Sequence, residues 1–208
     1  MTKKRTIGVV LFEDFELLDV FGPLEMFGIA SDHFHINMLG KSNIPIASKQ
    51  GPKSVVDSTY DAPGHYDILL IPGGQGTRRE VDNCSLLDWL KKQEPHSEYV
   101  ISVCTGSALL AKAGLLNGLR ATTNKRSFDW ATRQGPKVNW QQQARWVEDG
   151  KFFTSSGISA GIDMSLALIH KLLGKKTAED IARRAEYIWN QDANYDPFAR
   201  LSGTDEMT

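Results

Sequence analysis

The sequence predicts an α/β protein built on a mainly parallel sheet covered by helices. Short β-branched runs alternate with longer amphipathic stretches. Two runs, Ile68-Leu69-Leu70-Ile71 and Tyr99–Val103, are apolar throughout, as strands buried on both faces must be. Each of them ends directly in glycine or other small residues, which places a turn at the same sheet edge. The 208 residues suit one domain, and the 41% apolar and 24% charged fractions are those of an ordinary globular chain.

In chain order, Ile7–Phe12 reads as the first strand and Glu16 to about Ala30 as the helix after it. His35–Leu39 is a second strand. Residues 44–56 form an irregular stretch with two short strand candidates, broken by Pro45, Gly51 and Pro52. After Ile68–Ile71 comes the breaker cluster Pro72-Gly73-Gly74-Gln75-Gly76. Ser85–Gln93 places Leu86, Leu87 and Leu90 on one helical stripe. Tyr99–Val103 leads into a helix from Gly106 to Ala113. Ala144–Glu148 and Lys151–Ser155 flank Asp149-Gly150, which suits a tight hairpin turn. Ala160–Leu173 is a mostly apolar helix stopped by Gly174. Thr177-Ala178-Glu179-Asp180 resembles a capping box and opens a last helix extending to about Trp189. No repeat, low-complexity tract or long linker divides the chain, so residues 1–208 read as a single domain.

Charge and length exclude several classes of partner. The net charge is −1, so no overall field recruits nucleic acid or an anionic membrane. Lys125, Arg126, Arg133, Lys137 and Arg145, interleaved with Trp130, Trp140 and Trp146, are interrupted by Asp129 and Glu148. They read as a solvated face over core tryptophans. No apolar run reaches the length of a membrane span. The run before Glu13 and Asp14 is too short for a signal-peptide core, and a cytoplasmic location is expected. The two cysteines, Cys84 and Cys104, form neither a disulfide framework nor a metal motif, and no cofactor is implied.

The chemistry concentrates at Cys104. A buried strand runs into Val103-Cys104-Thr105-Gly106-Ser107, and a helix opens at once through small residues. That is the layout of a nucleophile elbow. The start of the helix offers N–H groups and a positive dipole end, which favour a thiolate. Cys84 has no such setting and reads as structural. Gly73 and Gly74 end the neighbouring strand at the same edge. With the Thr105 N–H they form a candidate oxyanion hole.

The partner of a cysteine nucleophile is commonly histidine, yet the topology excludes all five. His96 precedes the strand that ends in Cys104 and lies about 25 Å from it, and His65 stands off Gly73 by a similar span. His33 and His35 begin the second strand, toward the opposite edge, and His170 lies about 15 Å along its helix. Carboxylates fit better. Asp19 stands within Leu17-Leu18-Asp19-Val20-Phe21 just after the first strand, where desolvation favours the protonated acid. Such an acid beside a thiolate can serve in proton transfer. Glu16, three residues earlier, is a more exposed alternative that equally suits a helix-start cap.

These segments resemble the ThiJ/PfpI (DJ-one) superfamily. The matching motifs are Leu18-Asp19-Val20-Phe21-Gly22-Pro23, Ile71-Pro72-Gly73-Gly74, Val103-Cys104-Thr105-Gly106, Arg120-Ala121-Thr122-Thr123 and Gly157-Ile158-Ser159-Ala160-Gly161-Ile162-Asp163. The Leu-Asp-x-x-Gly-Pro pattern is similar to the isonitrile hydratase branch, which also includes amidase-like domains of transcriptional regulators. The resemblance implies a flavodoxin-like three-layer sandwich, a homodimer and a small-molecule substrate. It implies Cys104 as nucleophile, Asp19 as its acid, and Gly73, Gly74 and Thr105 as anchors for developing charge, with Ile158 lining the pocket. The implied reaction adds water to an isonitrile through a Cys104 thioimidate and yields an N-substituted formamide. Many members carry His after Ala-Thr-Thr. Here Asn124 stands there, and it can orient a partner but carries no proton at neutral pH, which weighs more against peptidase or glyoxalase-type chemistry than against isonitrile hydration; glyoxalase, deglycase or amidase activity stays a second alternative. The main alternative is a non-catalytic redox or ligand sensor using Cys104. Regulator members append a helix-turn-helix domain, whereas this chain reaches Thr208 soon after its last predicted helix, which argues against direct gene regulation. The segment from Glu186 to Phe198 also resembles tails of this branch and reads as packing.

Overall fold

The computed structural model describes residues 4–201. Its centre is a seven-stranded sheet made of β1 (Arg5–Val10), β2 (Phe34–Gly40), β3 (Ser58–Thr59), β4 (Ile68–Ile71), β5 (Tyr99–Ser102), β6 (Trp146–Asp149) and β7 (Phe152–Ser155). Their spatial order is β6-β7-β5-β4-β1-β2-β3. All neighbours pair in parallel except the β6–β7 hairpin. The helices are α1 (Leu17–Ile29), α2 (Thr77–Glu80), α3 (Cys84–Gln93), α4 (Gly106–Lys112), α5 (Phe128–Arg133), α6 (Ala160–Leu173) and α7 (Lys175–Arg184). Together these form a flavodoxin-like α/β sandwich.

The all-apolar runs do form the middle of the sheet: every residue of β4 is buried, as is each of Val100, Ile101 and Ser102 in β5. From β1 the chain builds β2 and β3 to one side and then crosses to build β4 and β5 on the other. The β1–β4 boundary is therefore a topological switch point. The loops after its strands diverge there and leave a crevice at their carboxyl ends.

Several boundaries differ from the sequence expectation. The first strand is Arg5–Val10, and Leu11 and Phe12 leave the sheet as a buried loop. The hairpin turn is centred on Gly150-Lys151, because Asp149 still pairs with Phe152. The strand candidates within residues 44–56 are Ile46–Ala47 and Lys53–Ser54, paired antiparallel. Sequence periodicity was blind to β3, α2, α5 and a parallel pair, Arg120–Ala121 with Asn139–Trp140, since elements this short have no period to detect.

The last helix is the largest departure. It starts at Lys175, ends at Arg184 and lacks the capping box: Gly174 is its N-cap, and Thr177 Oγ1 donates instead to the Leu173 carbonyl. Glu186, at φ 51°, turns the chain out of the helix. Residues 187–199 then run back along the body as a clamped tail. Cys84 is exposed at the first position of α3 rather than packed in the core. The basic face expected around Lys125 and Arg145 is not solvated at either residue, for both side chains are buried.

Candidate active site

Cys104 is the residue after β5 and Val103, in the left-handed region at φ 56°. For a residue with a Cβ that conformation costs about 1–3 kcal/mol and persists only where neighbours hold it. Here they do. The Cys104 N–H donates to the Ser156 carbonyl at 3.1 Å. The Cys104 carbonyl accepts from the hydroxyls of Ser107 at 3.2 Å and Thr123 at 3.0 Å. The small residues of the elbow also have their expected cause. A Cβ at Gly106 would lie 2.8 Å from the Pro72 carbonyl oxygen, so α4 can start against β4 only with glycine there.

Asp19 sits in the first turn of α1 and is fully buried. Its Oδ2 accepts the Gly73 N–H at 2.9 Å, while its Oδ1 is buried and accepts no hydrogen bond. The Cys104 sulfur lies against this carboxyl. Gly73 is needed for the contact, since a Cβ there would stand 2.6 Å from the Thr105 nitrogen and 2.8 Å from Asp19 Oδ2. Pro23, one turn on, lacks the N–H that would otherwise bond the Asp19 carbonyl.

The two glycine N–H groups are not open donors. Gly73 spends its own on Asp19, and the Gly74 N–H donates to Thr105 Oγ1 at 3.1 Å. Thr105 Oγ1 also accepts from the Thr77 hydroxyl at 3.0 Å. The glycines thus brace the acid and the elbow, a correction to their reading as an oxyanion hole. Gly74 has φ 119°, and a Cβ would collide with the backbone at Asp14–Glu16.

The groups that face the sulfur are the Thr105 backbone N–H and the Asn124 side chain. Asn124 Oδ1 accepts the Ser127 N–H at 3.0 Å, which fixes the amide so that its NH2 is the end left to donate. Gly157 is a glycine because that NH2 packs directly on it. Glu16 is held by Gln50, whose Nε2 donates at 2.7 Å, and it stands at the rim.

Electrostatics here differ from a simple helix-dipole thiolate. Burial pushes the Cys104 thiol well up, with the charge of Asp19 adding to the rise; Thr105 and Asn124 pull it down. Burial likewise pushes the Asp19 carboxyl well up, against the Gly73 N–H. The charges of Asp19 and Cys104 therefore disfavour each other, and Glu16 at the rim adds to the rise of both. With Asp19 protonated its repulsion disappears, and both polar donors favour the charge on sulfur.

The sulfur opens on a cavity of about 410 Å³ lined by residues that include Glu16, Gln75, Arg78, Thr105, Asn124 and Ile158. Among the described residues no histidine lines it. Arg78 stacks on Trp130 at 3.6 Å and donates to Ser127 Oγ at 3.0 Å. Among the described residues no group of three or more His, Cys, Asp or Glu side chains is placed to hold a metal ion, and no helix is long and apolar enough to cross a membrane. Ser156 and Thr77 escaped sequence reasoning, as did the part Ser107 and Thr123 play as donors to the Cys104 carbonyl. Isolated Ser and Thr give no signal until the elbow they brace is located.

Residues 5–171 match the DJ-1/PfpI family. The chain belongs to that family. It is 34% identical to an isonitrile hydratase from Pseudomonas putida, over 87% of this chain and 78% of that protein. It is 26% identical to the HTH-type transcriptional regulator CdhR from Pseudomonas aeruginosa, over 84% of this chain but only 53% of that protein. A crystal structure of a ThiJ/PfpI family protein from Pseudomonas syringae superposes with a TM-score of 0.82 at 29% identity, covering 89% of this chain and 76% of that one. Family membership thus joins enzymes with regulators, and the choice between them falls to the chemistry of the crevice.

Proposed function

We propose that this chain is a cysteine-dependent hydratase that adds water to an isonitrile to give an N-substituted formamide. The observation that carries the reading is the buried Asp19 carboxyl, anchored through one oxygen by the Gly73 N–H and set against the Cys104 thiol. An isonitrile needs a soft nucleophile at its terminal carbon and a proton at the same carbon, and this pair supplies both.

In the proposed cycle the Cys104 thiolate attacks the terminal carbon and Asp19 gives that carbon its proton, forming an S–CH=N–R thioimidate. The Asp19 carboxylate then takes a proton from water as the oxygen adds to carbon, and passes it to nitrogen. Collapse of the S–CH(OH)–NHR adduct returns the hydroxyl proton to Asp19, forms the formyl C=O and expels the thiolate. The sum is isonitrile plus water to formamide, with the thiolate and protonated acid restored. Thr105 N–H and the Asn124 amide hold the sulfur anion at the start and end.

The test is formamide production from cyclohexyl isonitrile, followed by NMR. Cys104→Ala abolishes it, and Asp19→Asn lowers kcat by about 10²–10⁴-fold with the fold retained. Full activity in Asp19→Asn would remove the acid from the mechanism. The regulator match supports a second reading, ligand sensing without turnover, which would be adopted if the isonitrile bound at Cys104 but no formamide formed. A redox sensor would be adopted instead if peroxide oxidised Cys104 to sulfinic acid and no isonitrile were turned over. We also propose a cytoplasmic homodimer, each copy one domain; the exposed Leu18 and Phe21 of α1 are apolar surface that such an interface would cover. Light scattering reads its mass.

A further inference from the structure

A second cavity, of about 320 Å³, adjoins the reactive one and shares Asn124, Arg126 and Ile158 with it. Its remaining lining includes Gly157 and Phe198. Ile158 and Phe198 are large apolar side chains left 38% and 55% exposed. Phe198 comes from the tail, far along the chain from every catalytic element, so its placement needs a cause.

That cause is a buried polar lock. Arg145 on the approach to β6 pairs with Asp163 of α6, at 2.7 Å from Nε and 2.6 Å from Nη2. The other Asp163 oxygen accepts the Tyr187 hydroxyl at 3.0 Å and the Asn190 N–H at 2.9 Å, and the Asp163 carbonyl accepts Trp189 Nε1 at 3.1 Å. Further along, the Arg145 N–H donates to the Ala193 carbonyl and the Asp196 N–H to the Gln143 carbonyl, both at 2.8 Å. Asp196 Oδ1, 4.0 Å from Arg145, accepts the Phe198 N–H at 2.9 Å. The tail is thereby tied down residue by residue to the point where the Phe198 ring meets the cavity.

We infer that this second cavity is the subsite for the substrate's nitrogen substituent, that Phe198 and Ile158 are its apolar walls, and that Phe198 sets a preference for a bulky hydrocarbon group there. The inference rests on the hydration reading for the reacting end of the molecule. The occupant follows from continuity: with the isonitrile's terminal carbon at the Cys104 sulfur, its N–R end extends past Asn124 and Ile158, which line both cavities. A hydrocarbon R removes the exposed faces of Ile158 and Phe198 from water, while Lys125 and Arg126 in the same lining disfavour a cationic R.

Two measurements test it together. The first is the ratio of kcat/KM for cyclohexyl over methyl isonitrile in the wild type, Phe198→Ala and Phe198→Leu. The ratio falls about tenfold in Phe198→Ala, mainly through KM for the larger substrate, and Phe198→Leu restores most of it. The second needs no turnover. It compares alkylation of Cys104 by N-cyclohexyl iodoacetamide and by iodoacetamide, read on the Cys104 peptide by mass spectrometry with exposed Cys84 as internal reference. The wild type favours the cyclohexyl reagent at Cys104, and Phe198→Ala loses that preference. Loss of selectivity in the alkylation alone, with no formamide from any isonitrile, keeps the subsite and sinks the hydration reading. Unchanged selectivity in Phe198→Ala by both readouts overturns the subsite.

Discussion

Cys104 and Asp19 each break an ordinary preference, one in backbone conformation and one in the burial of a carboxyl, and each is held by hydrogen bonds made to backbone atoms. Asn124 is the adjustable member. It lowers the thiol against burial, which raises it, so its removal shifts the thiol further up. The Asn124→Ala variant is expected to move the midpoint of the pH profile for Cys104 alkylation to higher pH. Its alkylation rate at pH 7 should fall about three- to tenfold, and an unmoved midpoint would show that the amide does not bind the sulfur.

At the scale of elements, the site depends on how closely α4 can start against β4. Gly106 faces the Ile71 and Pro72 carbonyls, which are backbone and cannot rotate away. A similar approach occurs where α6 begins, since a Cβ on Gly161 would stand 2.7 Å from Val103. Gly106→Ala is therefore expected to lower stability by about 1–3 kcal/mol, measured by urea unfolding. Because the resulting shift falls on the elbow, turnover should fall more than stability alone explains at temperatures where the variant is fully folded. The need for small residues here was legible from the sequence, as any strand entering a helix at once leaves no room for a side chain. What remained hidden was which carbonyl each glycine meets.

Over the whole molecule, the buried charges bind the tail to the body and shape its response to pH. Lys125 donates to Thr122 Oγ1 at 2.7 Å and to the Ala144 carbonyl at 2.6 Å. Burial lowers it from 10.5 to about 8 despite the nearby charge of Asp196. Between those two values the unfolded chain binds the proton and the folded chain does not, so this residue makes stability rise as pH climbs from about 8 to 10.5. The penalty, at most about 3 kcal/mol, is fully present below pH 8. Tyr66 and Tyr187, raised mainly by burial, act in the opposite direction above pH 10. Comparison with Lys125→Met isolates the lysine: the difference between the two unfolding free energies should change with pH across that window and stay flat below it. A constant difference would mean Lys125 is not depressed.

The chain alone pointed to the sheet, the switch-point edge and the meeting of Cys104 with Asp19 there, because these follow from apolar runs and from what comes directly after each strand. The tertiary structure decided what the charged and small polar residues do. Lys125 and Arg145 look like solvated surface in sequence, yet they are buried because Asp163 and Asp196 meet them from other elements. Likewise Gly73 and Gly74 looked like free donors until Asp19 and Thr105 were found to take their N–H groups. Periodicity and chain order reveal where a backbone goes; which polar atoms meet is set only when distant segments pack together.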